Sequence, residues 1–94
     1  MRLGYARLTA DGVLNSSGKP VAIRTIHIMS GATPGVVILR HGTAVTDTAT
    51  IQETGTANTG RTIDLGANVV FPSGCFVDVD ANVTYVTIGY ETLS

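Results

Sequence analysis

Two β-rich runs, Val21–Ser30 and Val36–His41, flank the turn-forming Gly31-Ala32-Thr33-Pro34-Gly35. No stretch constrains the chain more. In the first run one face carries Val21, Ile23, Thr25, His27 and Met29, and the other Ala22, Arg24, Ile26, Ile28 and Ser30. Both faces are largely apolar with one basic group each. That pattern predicts a strand buried on one side and partly covered on the other. Val36-Val37-Ile38-Leu39 is apolar throughout and too short for a helix, as in the core strand of a sandwich. Together the two runs read as a hairpin at the centre of an all-β domain.

The remaining residues extend the same pattern. Arg2 to Thr9 alternates, with Leu3, Tyr5 and Arg7 on one face and Gly4, Ala6 and Leu8 on the other. Ala10-Asp11-Gly12 is a tight-turn signal, because Asp-Gly supplies positive-φ positions. Val13-Leu14 continues as a short strand, and Asn15 to Pro20 is a polar loop. Further strand character appears at Ala49–Glu53, Thr62–Leu65 and Val69–Phe71, with a turn expected at Gly66-Ala67-Asn68. The small, polar segment Thr54–Gly60 is expected to be an exposed, mobile loop. Cys75 to Asp80 places Cys75, Val77 and Val79 inward and Phe76, Asp78 and Asp80 outward. After a turn at Ala81-Asn82, Val83–Glu91 closes the chain. About eight short strands with frequent turns predict a single-domain antiparallel β-sandwich, jelly-roll-like, over residues 1–94.

Composition narrows the function classes. Only 14% of the residues are charged, against about 25% in a typical globular domain. The surface must therefore be built from Thr, Ser, Gly and Ala, which suits a subunit covered by partners better than a free monomer. The net charge is −1 and the six basic residues are scattered singly, so no nucleic-acid partner is expected. No run approaches the ~18 apolar residues of a membrane helix, so no membrane partner is expected. The opening MRLGYARLTADG lacks a continuous apolar core and a small-residue cleavage site, so no secretory segment is expected. The single cysteine excludes an internal disulfide.

Several constellations can be weighed for chemistry. Asp78-Val79-Asp80-Ala81-Asn82 opens like a calcium loop, but Val83 stands where the sharp-turn Gly is needed and Gly89 where the bidentate Glu is needed. Solvated strand carboxylates and a turn Asn explain the residues better. His27 and His41 could meet across the hairpin, yet no third ligand, nucleophile or orienting carboxylate accompanies them. Cys75 has no His or helix N-terminus expected near it to lower its pKa and reads as a buried, inert thiol. Gly31–Gly35 lacks the Gly-Lys-Ser/Thr ending of a phosphate loop. Asn15-Ser16-Ser17 and Asn82-Val83-Thr84 match glycosylation acceptors by chance in a chain without a signal segment. No catalytic set, cofactor site or metal site is predicted, and the chain is not expected to be an enzyme. The candidate residues are instead interface residues: Arg24, His27, Arg40, His41 and Arg61. Each Arg suits an ion pair or hydrogen-bond fork with a partner, or alternatively a pair with Asp47, Asp64 or Glu53 of its own chain.

The order of features carries a resemblance. Tyr5-Ala6-Arg7-Leu8-Thr9 leads into Asp11-Gly12, and Ser17-Gly18 precedes the strand Val21–Met29. The Ser30-Gly31 turn is followed by Val36–Leu39 and His41-Gly42. Val70-Phe71-Pro72-Ser73-Gly74-Cys75-Phe76-Val77-Asp78-Val79 comes late, and Val83-Thr84-Tyr85-Val86-Thr87-Ile88-Gly89-Tyr90 closes the chain. This layout, covering most of the chain, resembles small β-sandwich virion proteins of tailed bacteriophages that decorate or cement a capsid. It is a pattern of strands and turns, not a diagnostic motif. Many such proteins place an aromatic and an acid where Arg40-His41 stand, so contacts made there in the family are not carried over. The resemblance implies a structural protein on the capsid surface of a virion, bound to the major capsid protein. A homo-oligomer is implied too, with a trimer favoured at local three-fold positions and a dimer as the other arrangement. A tail or head-tail adaptor component and, ranked lower, a carbohydrate-binding module are the alternative readings.

Overall fold

The computed structural model describes residues 2–14, 19–44 and 46–92. The polar loop predicted from Asn15 falls largely outside them, as does the Asn15-Ser16-Ser17 acceptor. Eight strands follow in order: β1 (Arg2–Leu8), β2 (Gly12–Leu14), β3 (Val21–Ser30), β4 (Val36–His41), β5 (Thr48–Thr54), β6 (Gly60–Phe71), β7 (Cys75–Val79) and β8 (Val83–Thr92). They form two four-stranded antiparallel sheets, a front sheet ordered β1-β8-β3-β6 and a back sheet ordered β2-β7-β4-β5. In these orders β4 pairs β5, β3 pairs β6, β2 pairs β7 and β1 pairs β8. That is one long antiparallel ribbon wrapped across two sheets, the jelly roll.

This topology corrects the expected hairpin. β3 and β4 do not pair, because they belong to different sheets. The Gly31–Gly35 segment is a crossover between the sheets, and both its neighbours need two other strands as partners. The physical reason is burial. An isolated pair cannot cover two runs this apolar, whereas placing them in opposite sheets lets Ile26, Ile28, Val37 and Leu39 enter one shared core. Likewise the Ala10-Asp11-Gly12 signal marks a crossover from β1 to β2, and Gly12 does not adopt positive φ. Asp11 acts through its side chain instead, accepting the Val79 N–H at 2.7 Å.

The strict alternation read along β3 also fails, at Arg24. Both ladders of β3 shift between Ile23 and Thr25. Val21 and Ile23 point inward before the shift, and Ile26, Ile28 and Ser30 after it. A bulge adds one residue and so exchanges the faces. Opposite it, β6 makes a larger excursion: Ile23 pairs Val69 while Thr25 pairs Asp64. The turn expected at Gly66-Ala67-Asn68 is therefore a bulge within one continuous strand. Gly66 sits there at φ +63°, and its N–H is accepted by Asp64 Oδ1 at 2.9 Å. A second shift, between Met29 and Ser30 against Tyr85 and Val83, turns both Val83 and Val86 inward along β8.

A single cluster fills the space between the sheets. Its largest fully buried members are Phe71, Ile23, Ile26, Ile28, Leu39 and Ile88. Cys75 and Val77 point inward from β7 as expected. One end of the sandwich is closed by polar backbone contacts. The buried Ser30 accepts the Gly35 N–H on its Oγ at 3.0 Å. Gly55 N–H donates to the Gly35 carbonyl at 2.8 Å and Asn58 N–H to the Gly31 carbonyl at 2.7 Å. The Thr54–Gly60 loop is thus tied to the β3–β4 crossover, and its Gly55 is buried. These bonds satisfy backbone groups that the crossover takes out of the ladders.

Candidate interface

The five residues singled out by sequence lie apart. Arg24 projects from the β3 bulge and pairs with Glu91 of β8 at 2.6 Å. Arg40 on β4 pairs with Asp78 of β7 at 3.0 Å and donates to the Asp47 carbonyl at 3.2 Å. Arg61, on the edge strand of the front sheet, reaches the edge strand of the back sheet. It donates to Glu53 Oε1 at 3.3 Å and to the Thr54 carbonyl at 2.6 Å, closing that side of the sandwich. Of the intramolecular pairings considered from sequence, only Arg61 with Glu53 forms as an ion pair. Arg40 takes the backbone of Asp47 rather than its carboxylate, and Arg24 takes Glu91.

The two histidines cannot meet, because β3 and β4 lie in different sheets. His41 is exposed on β4 and sits edge-on to Phe71, with ring centroids 6.3 Å apart. His27 lies on the outer face of the front sheet, its Nδ1 2.8 Å from Thr62 Oγ1. Cys75 is buried, and burial raises its thiol pKa from 9.0 to about 12. The cause is desolvation, which disfavours the thiolate, and no nucleophilic role fits such a group.

All seven acidic side chains accept internal hydrogen bonds. Glu91, Asp78 and Glu53 hold the three arginines. The other four accept backbone N–H groups: Asp11 from Val79, Asp47 from Ala44, Asp64 from Gly66, and Asp80 from Val36 and Asn82. The D-x-D-x-N signal at Asp78–Asn82 is thereby explained by an ion pair and a capped turn.

What remains exposed and chemically distinctive is the outer face of the front sheet, where sequence reading had marked only His27 and Arg24. Cross-strand register sets Tyr5 opposite Gly89 and Gly89 opposite Thr25. The next rung runs Arg7, Thr87, His27, Thr62. The Arg7 guanidinium lies over the Tyr85 ring, 4.3 Å from its centroid, and the His27 ring lies 6.1 Å from the same ring. Tyr5 is 70% exposed, the most open large hydrophobic among the described residues. Its ring covers Gly89: a Cβ built there would meet Tyr5 Cε1 at 2.9 Å. The available signal was the alternation in β1. It places the apolar Ala6 and Leu8 against the core, which leaves Tyr5 and Arg7 outside.

No family model matches the chain, and no curated protein matches it. One solved structure is similar, from work describing how "Bacillus endospore appendages form a novel family of disulfide-linked pili". It is 14% identical, with a TM-score of 0.49, over 99% of this chain and 87% of that chain. The jelly-roll architecture rests on this chain's own strand pairing.

Proposed function

We propose that this chain is a structural virion subunit, a capsid decoration or cement protein that binds the outer surface of the major capsid shell and stabilises it. The observation that carries this reading is the disposition of charge. The jelly roll engages every acidic side chain and three arginines in contacts within the chain. That leaves a Thr-rich surface with an aromatic and basic strip on one sheet. Such a surface loses little by desolvation when covered and needs no active site. The layout of strands and turns that resembles tailed-phage virion proteins supports the same reading. A homotrimer at local three-fold positions is the assembly proposed, since one face per subunit then meets each of three equivalent capsid neighbours. Shell binding also adds stability by mass action, which suits a domain this small.

The test is the copy number of the chain per purified particle, by quantitative mass spectrometry of virions made from the genome that encodes it. A decoration protein appears at near one-to-one to one-to-three stoichiometry with the major capsid protein. A few tens of copies would assign it to the tail or the head-tail junction. Absence from particles, with glycan binding by the isolated domain, would replace the reading with carbohydrate recognition.

A further inference from the structure

We propose that the outer face of the front sheet, centred on Arg7 and Tyr85 and flanked by His27 and Tyr5, is a docking surface for a carboxylate carried by a different protein. This rests on the proposed role only in naming the capsid protein as that partner.

Arg7 is the starting point. Arg24, Arg40 and Arg61 each hold a carboxylate of their own chain, whereas Arg7 holds none among the described residues. Its contact is the face of Tyr85 at 4.3 Å. This cation–π contact restrains the guanidinium without using its N–H groups, so its fork stays available to a planar anion. Tyr85 is itself braced by His27, whose position is set by Thr62 on the neighbouring strand. Tyr85, His27 and Thr62, on three different strands, therefore restrain one cation. Preorganisation of this kind lowers the ordering cost of a fork–fork contact with a carboxylate. Tyr5, on the same strand and the same face as Arg7, adds an exposed aromatic beside the charge. Tyr and Arg are the residue types that dominate interface energetics.

The identity of the occupant follows from charge. A second copy of this chain placed face to face would set the Arg7 guanidinium against its own equivalent. Three of its seven acidic side chains are already neutralised by its own arginines. Asp64 is the acid on the β6 edge of this sheet, and its Oδ1 accepts the Gly66 N–H. A lone stacked Arg is too little charge for a nucleic-acid backbone. The fitting partner is a protein segment with an exposed Asp or Glu next to a small apolar patch that receives Tyr5.

The probe is a hexaglutamate peptide titrated into the isotope-labelled chain and followed by amide and side-chain NMR shifts. Perturbations are expected at Tyr5, Arg7, His27, Tyr85 and Thr87. Arg7→Gln is expected to weaken the interaction about tenfold, the loss of one charge-assisted fork. Arg7→Lys, which keeps the charge but lacks the planar fork, is expected to show an intermediate affinity, and Arg61→Gln the affinity of the parent chain. Arg7 is exposed, so thermal melts of the Arg7 variants should stay near that of the parent chain. Shifts spread evenly over all basic residues, or equal affinity for Arg7→Gln and the parent, would overturn the inference. In a parallel arm the same variants are bound to particles stripped of the chain. Mapping of the peptide to this face together with no particle binding by the parent would remove the capsid reading and leave the docking surface standing. Particle binding that is indifferent to Arg7→Gln would do the reverse.

Discussion

Asp80 and Val36 hold each other reciprocally: Asp80 Oδ2 accepts the Val36 N–H at 2.9 Å, and the Asp80 N–H donates to the Val36 carbonyl at 3.2 Å. The other carboxylate oxygen of Asp80 accepts the Asn82 N–H at 2.8 Å. One aspartate thus starts β4 and shapes the β7–β8 turn, although the two lie far apart in sequence. Replacing it by Ala strands two backbone donors. The expected loss is about 2–3 kcal/mol, or a fall in Tm of roughly 8–24 °C for a domain of this size. Calorimetry of Asp80→Ala checks it; a change under about 2 °C would show that water replaces the carboxylate without cost.

Arg40 and Arg24 make ion pairs of different worth. The Arg40–Asp78 pair is largely covered, and Arg40 Nε is buried with no hydrogen-bond partner among the described residues. The Arg24 side chain is 44% exposed in its pair with Glu91. Surface pairs contribute about 0–1 kcal/mol, while breaking a covered one leaves the remaining charge uncompensated. Asp78→Ala is therefore expected to cost about 1–3 kcal/mol in urea denaturation, and Arg24→Gln under about 0.5 kcal/mol. Equal costs would mean that the two environments are electrostatically alike.

Cys75 supplies a prediction in alkali. Its thiol pKa is about 12 in the folded chain against 9.0 unperturbed. Between these values the folded state retains a proton that the unfolded state has lost. The contribution is therefore complete below about pH 9 and declines as pH rises towards about 12. Folded protein at about pH 8 should resist a thiol reagent such as DTNB and react fully only in denaturant. Rapid labelling without unfolding would contradict the burial of Cys75.

Gly35 is required by space and not by backbone angle, since its φ is not positive. A Cβ there would lie 2.8 Å from the Val83 nitrogen and 3.0 Å from the Asn82 carbonyl carbon. Backbone cannot yield as a flexible side chain can. Gly35→Ala is expected to destabilise by about 1–3 kcal/mol or more, read as a lower urea midpoint. Thr33→Ala, in the exposed part of the same crossover, should change it little.

Local pattern made the strand class legible. Alternation in Cys75–Val79, the apolar run Val36–Leu39 and the spacing of turn residues led directly to an all-β sandwich of about eight strands. The same local information misassigned β3 and β4 as partners, because an apolar strand records how much of it is buried but not by which neighbour. It missed the face exchange at Arg24 for a related reason. A bulge is defined by two ladders, to β6 and β8, whose residues lie at the other end of the chain.

The candidate interface divides along the same line. That Arg24, Arg40 and Arg61 are too few to be idle could be read from composition, and so could the absence of a basic cluster in sequence. Which carboxylate each arginine meets depends on strands 8 to 67 residues away in the chain, and only the folded sheet order brings them together. Arg7 and Tyr85 are a pair for the same reason, since β1 and β8 are the first and last strands. Sequence by itself determined the strand-forming chemistry, the single core and the scarcity of charge, because these follow from side-chain type and period. Tertiary structure decided which charges are spent and which face is left open, because both depend on long-range pairing that period-two alternation does not encode.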